Sequence, residues 1–163
     1  MFWPYDVPMD PLEEFRYLVL AAQREGNRAL AAALKPHDLT PSQAEALAVL
    51  RDARKPLTVR EIGERLVCEG GSPSRLMSTL ARKDLVASGA DPADGRNTLL
   101  SLTPAGVDAA RAVKRVEADL YAFLGTLLDD DQVDAALPIL RALVGQLPTG
   151  AALQRRIADK TEA

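Results

Sequence analysis

Ser74, Arg75, Ser78, Thr79 and Arg82 follow one another at steps of one, three, one and three residues, mixing hydroxyls with guanidiniums. On a 3.6-residue period Arg75, Ser78 and Arg82 share one side, with Ser74 and Thr79 at its edges, while Pro73, Leu76, Met77 and Leu80 occupy the other. A guanidinium offers a planar fork of donors that fits a guanine edge or a phosphate, and hydroxyls bond either. Ser72 at the start of this stretch and Lys83 at its end extend the polar set. The plainer alternative is a solvated helix face. Against it stands the pairing of this face with a short capped helix and a basic loop that follows.

Other chemistry finds little support. His37 is the only histidine, Cys68 the only cysteine, and Asp129-Asp130-Asp131 is explained as a helix start. One histidine with one cysteine makes no zinc set, and neither Gly70-Gly71 nor Gly89 belongs to a phosphate-cradling loop. An enzyme is not expected, nor a cofactor. Cys68 lies in a turn, where a small packing residue is a better reading than a redox sensor.

The polar face needs elements to hold it. Thr58 and Glu61 stand three apart, the reciprocal capping spacing, and open a short helix through Leu66 with Ile62 one turn earlier. Val67 to Gly71 then joins it to a second helix begun by Ser72-Pro73, where a serine oxygen can accept an orphan amide and proline needs no donor. Two short helices so joined form a helix-turn-helix. Leu85 to Ser88 and Thr98 to Leu102 are short apolar segments around the turn-rich stretch Gly89 to Asn97, which predicts a β-hairpin with a projecting tip. The combination is a winged helix, one helix reaching the major groove of a duplex and the wing meeting sugar and phosphate.

The chain has 163 residues, 47% of them hydrophobic, and a net charge of -3. That balance does not advertise a nucleic-acid partner, but the segment from Arg54 to Lys83 is basic: Arg54, Lys55, Arg60, Arg65, Arg75, Arg82 and Lys83 face only Glu61, Glu64 and Glu69. Lys55, Arg60 and Arg65 are divided evenly between phosphate contacts and ordinary surface charge. No apolar run is long enough for a bilayer and the amino terminus lacks a basic signal start, so a soluble cytoplasmic protein with no membrane partner is expected.

Phe2, Trp3 and Tyr5 sit in a proline-interrupted arm over residues 1–10, which either packs on another subunit or hangs loosely. One unit follows over residues 11–147. Apolar positions from Leu12 to Ala33 predict a long helix over residues 11–34, and Thr40-Pro41-Ser42-Gln43 caps a second helix that opens the winged region, residues 40–103. Thr103-Pro104 starts a helix of about two dozen residues, near 35 Å at 1.5 Å per residue. A further helix follows Asp129-Asp130-Asp131, with Pro138 as its kink. Residues 105–147 thus pair with residues 11–34 as dimerisation helices. The tail, residues 148–163, has room for a short helix over 151–160. The fold class is mainly α with a small β-wing. Long helices flanking a small reading domain imply a symmetric dimer with its reading helices one duplex turn, roughly 34–36 Å, apart on a palindrome. The crevice between dimer base and winged domain, with Phe15, Tyr17 and His37 nearby, is a candidate pocket for a small aromatic or anionic effector.

Asp94-Gly95-Arg96, the strand from Asn97 to Ser101 and then Leu102-Thr103-Pro104-Ala105-Gly106 resemble the wing and following helix start of the MarR family of bacterial transcriptional regulators. The resemblance runs from about Pro11 to Leu147. It implies a homodimer on operator DNA, usually a repressor, released in many members by a small ligand or by oxidation. It also implies that Arg96 enters the minor groove, with Asp94 holding its backbone or guanidinium and Asn97 beside it. Ala87-Ser88 departs from the pattern, since many members carry a basic residue there. A winged-helix scaffold that binds only proteins is the alternative reading.

Overall fold

The computed structural model describes residues 9–68, 71–94 and 97–161. Helix α1 (Pro11–Leu34) starts on Asp10, whose carboxylate accepts the amides of Leu12 and Glu13, and passes Gly26 without a break. A 3-10 turn (Lys35–His37) closes on Asp38 in the left-handed region. Helix α2 (Pro41–Ala53) has the full Thr40/Gln43 capping box and is buried from Gln43 to Leu50. It is the central pillar, packed by α1, α5 and α7 and by the reading element.

The short strand β1 (Leu57–Thr58) was not expected from sequence. It runs directly into α3 (Val59–Gly63), capped reciprocally by Thr58 and Glu61. The Glu61 carboxyl is held below its usual range, first by the Thr58 backbone amide and then by the Thr58 hydroxyl. The helix stops at Gly63 instead of reaching Leu66, because Arg65 and Leu66 turn back through amide bonds to Ile62 and Gly63. Helix α4 (Pro73–Arg82) carries Leu76, Met77 and Leu80 into the core, as its pattern requires. Ser72 occupies the N-cap position, but its hydroxyl makes no capping bond. That helix is begun by the fixed φ of Pro73, whose ring packs against Gly63.

Strands β2 (Val86–Ala90) and β3 (Thr98–Leu102) form the wing, and β3 also pairs with β1, giving a three-stranded antiparallel sheet in the order β1-β3-β2. Leu57 pairs with Leu100 and Val86 with Leu102, which sets the buried residues Leu57, Val86 and Leu100 toward the helices.

Helix α5 (Pro104–Leu127) is capped by Thr103, and α6 (Asp130–Val144) by a capping box between Asp129 and Gln132. Helix α6 continues through Pro138. The tail is a full helix, α7 (Pro148–Thr161), which folds back onto α2. Gly150 makes this return possible: a Cβ there would lie 2.0 Å from the Val144 carbonyl oxygen. No helix among the described residues is long and apolar enough to cross a membrane.

Candidate nucleic-acid interface

On α4 the inner face is fixed and the outer face is free to bind. Arg75 is exposed, its side chain making no hydrogen bond or ion pair to a described residue, and Ser74 is exposed beside it. The hydroxyls of Ser78 and Thr79 donate to the carbonyls of Ser74 and Arg75, at 2.9 and 3.0 Å. Each retains lone pairs for an incoming donor. Arg82 leans along the helix and donates to the Thr79 hydroxyl at 3.1 Å, so its guanidinium is oriented while its other donors stay open.

Lys83 is placed differently from the rest of the set. Its ammonium binds the Asp38 carbonyl and, at 2.9 Å, the Asp38 carboxylate, tying the end of α4 to the turn after α1. Asp84 then takes φ 56° and the Leu85 amide donates back to the Leu80 carbonyl, ending the helix without glycine. Ser72 is exposed at the other end.

The wing tip is closed by the Asn97 amide donating to the Asp94 carbonyl at 2.9 Å and the Asp91 amide donating to the Asn97 carbonyl at 3.1 Å. Asn97 is exposed and Asp94 half-buried, whereas Arg96 lies outside the described residues. The wing is joined to α5 by the Thr103 side chain. Its hydroxyl donates to the Asp84 carbonyl and accepts the Gly106 amide at 2.9 Å. A Cβ at Gly106 would sit 1.9 Å from the Leu85 carbonyl oxygen, so the Thr-Pro-Ala-Gly run is a close joint between wing and helix.

Of the three flanking cations, Lys55 is exposed and Arg60 is 87% exposed with Glu64 at 3.0 Å. Arg65 faces the other way. It grips Asp159 of α7 with two bonds, 2.7 and 3.3 Å long, and its side chain is 14% exposed, which removes it from the outward basic set.

A residue overlooked in the sequence holds the turn that aims α4. The buried Glu45 carboxylate accepts the amides of Val67 and Cys68, both at 2.8 Å, and pairs with Arg156 of α7 at 2.9 Å. Its signal was a lone acid within the buried run Ala44 to Leu50. Cys68 itself is half-buried, and burial, then the Glu45 charge, pushes its thiol up to about 11. A protonated thiol is a poor nucleophile and a poor oxidation target.

His37 lines a crevice of about 410 Å³ between α1 and α5 with Leu30, Ala33, Val116, Leu120 and Phe123. Phe15 and Tyr17 do not join it, lying at least about 18 Å further up α1 at 1.5 Å per residue. Tyr17 is instead covered by the Arg16 guanidinium, 4.1 Å from the ring centre.

Comparison with known proteins agrees with this geometry. Residues 39–106 match the winged helix DNA-binding domain family. No curated protein matches the sequence. Among solved structures, a cysteine-to-serine mutant of MarR from E. coli complexed with operator DNA superposes with a TM-score of 0.72 at 25% identity, over 83% of this chain and 99% of that one. The S. aureus MepR-DNA complex gives 0.74 at 23%, over 82% and 98%. A putative MarR-like transcription regulator from Bacillus cereus ATCC 10987 gives 0.71 at 17%, over 82% and 96%. The winged helix DNA-binding domain thus lies at the centre of the chain, and the fold of the MarR structures continues through its flanking helices.

Proposed function

We propose that the protein is a sequence-specific, double-stranded DNA-binding transcriptional regulator that acts as a homodimeric repressor on a palindromic operator. The observation that carries this reading is α4: three apolar side chains lock one face into the core, while Ser74, Arg75, Ser78 and Arg82 stand outward beside the wing. Thr79 and Asn97 flank this surface, and the wing tip with Asp94 and Arg96 supplies the minor-groove contact. Operator DNA in the MarR complex and DNA in the MepR complex support it by likeness of fold.

The dimer is supported by apolar surface that the single chain leaves open. Leu12, Phe15, Leu18 and Val19 on α1, Leu124 and Leu127 on α5, and Val133, Leu137, Leu140 and Leu143 on α6 are all more than a third exposed. Scattered singly such residues are ordinary, but rows of them at helical spacing on three long helices suit a second copy. The crevice around His37 is the place for a small aromatic or anionic effector, which would release DNA by binding the free dimer more tightly than the DNA-bound one.

The test is binding to duplexes from the region upstream of the protein's own gene, titrated with salt. A regulator shows a palindromic preference over random duplex and a steep fall of affinity with salt. A protein-interaction scaffold shows no sequence preference at any salt concentration.

A further inference from the structure

Two amides in the segment that leads into α4 find no backbone acceptor among the described residues. Helix α3 ends at Gly63, and the amides of Val67 and Cys68 lie beyond it. One carboxylate of α2 takes both: Val67 donates to Glu45 Oε1 and Cys68 to Glu45 Oε2, each at 2.8 Å. The Glu45 side chain is only 7% exposed. A charge so far from water needs a counter-charge as well as hydrogen bonds. Arg156 of α7 supplies it, its Nη1 donating to Oε1 at 2.9 Å.

Asp159 stands three residues further along α7, on the same face, and grips Arg65 of the same segment. Arg65 in turn donates to the Glu61 carbonyl of α3 at 3.0 Å. Helix α7 therefore holds the segment at two places, at Arg65 directly and at Val67 and Cys68 through Glu45. The core anchors of α4, Leu76, Met77 and Leu80, all follow Ser74 and Arg75 in the chain. The aim of the N-terminal end of α4, the end that meets base edges when such a helix enters a groove, depends on the segment before it.

We propose that Arg156 is a positioning residue for DNA reading: through Glu45 it holds the helix-turn-helix turn in the arrangement that presents Ser74 and Arg75 to the duplex. The proposal rests on the DNA-binding reading above. It makes α7 part of the reading unit, although that helix lies outside the winged-helix match over residues 39–106.

The test joins amide hydrogen exchange of the full-length protein, followed by NMR without DNA, to operator binding. Arg156→Met leaves the Glu45 carboxylate buried without its counter-charge. The Val67 and Cys68 amides then exchange at least about tenfold faster, while Leu47 in α2 and Leu80 in α4 keep their rates, and operator affinity falls at least about tenfold. Arg156 places a single N–H on Glu45, so Arg156→Lys, which keeps the charge and a donor, restores both. Lys160→Met removes a charge from the same helix, but from a pair with Asp52, and changes neither. Unchanged exchange at Val67 and Cys68 in Arg156→Met overturns the proposal, as does an equal rise at all four amides, which marks general loosening. Faster exchange at the turn with operator affinity intact overturns the positioning role, and so does an equal loss of affinity in Lys160→Met. A wild-type protein with no preference among duplexes overturns the regulator reading itself, an outcome that the exchange measurement, made without DNA, keeps apart from failure of the Arg156–Glu45 lock.

Discussion

The reading face separates into side chains with different duties. The Arg75 side chain has no partner among the described residues, so Arg75→Ala removes only an outward contact; it is expected to cost about 1–3 kcal/mol of operator affinity and to relax preference at one position of each half-site. Uniform weakening across half-site variants, measured by competition binding, would make Arg75 a phosphate contact instead. Cys68 gives a pH prediction. Because its folded thiol titrates near 11, above the ordinary value of 9.0, the proton is favoured by the fold, and the stability this contributes is complete below about pH 9 and lost as pH rises through 11. Alkylation by iodoacetamide at pH 8 should accordingly be slow in the folded protein and speed up on unfolding in urea. Equal rates in the two states would show an accessible, reactive thiol.

Among the elements, the joint between wing and α5 is the tightest. Gly106→Ala drives a methyl group into the Leu85 carbonyl, and an expected loss of at least about 2 kcal/mol should appear as a lower urea midpoint. The sequence carried this joint as a motif, Leu102 to Gly106, without revealing the contact that demands it. Caps and apolar periods were legible for a physical reason: Thr40/Gln43, Thr58/Glu61 and Thr103 act within four residues of themselves. Long-range partnerships were not. Arg65 stands evenly between phosphate contact and surface charge in the sequence, and Lys83 among the major-groove set; the structure shows Arg65 held by Asp159, 94 residues away, and Lys83 by Asp38. Strand β1 is too short for alternation to show, and α7 reads only as a short helix over 151–160, because Pro148 and Gly150 are residues that usually end helices. Gly150 here serves close approach. Glu45 could be noticed only as an anomaly, because its partners lie 22 and 111 residues away.

For the whole molecule, the proposed dimer rests on the open apolar rows. Leu137→Glu combined with Leu140→Glu places charge in the α6 row, and sedimentation should show the dimer replaced by a monomer whose winged domain still gives a native circular dichroism spectrum. An unchanged sedimentation coefficient would move the interface elsewhere. Helix α7 adds something a small winged domain would not otherwise have, a return strut from α6 to the reading element, fastened by ion pairs of two kinds. Arg65–Asp159 and Arg156–Glu45 are largely shielded, while Arg155–Glu64 and Lys160–Asp52 each have one side chain about half exposed. Added electrolyte weakens the outer two far more than the inner two. A logarithmic plot of DNA affinity against salt would then count more ions than there are phosphate contacts, because part of its slope comes from the protein's own fastening. Removing residues 148–163 should make that plot shallower, and the difference between the two slopes would measure the strut's share.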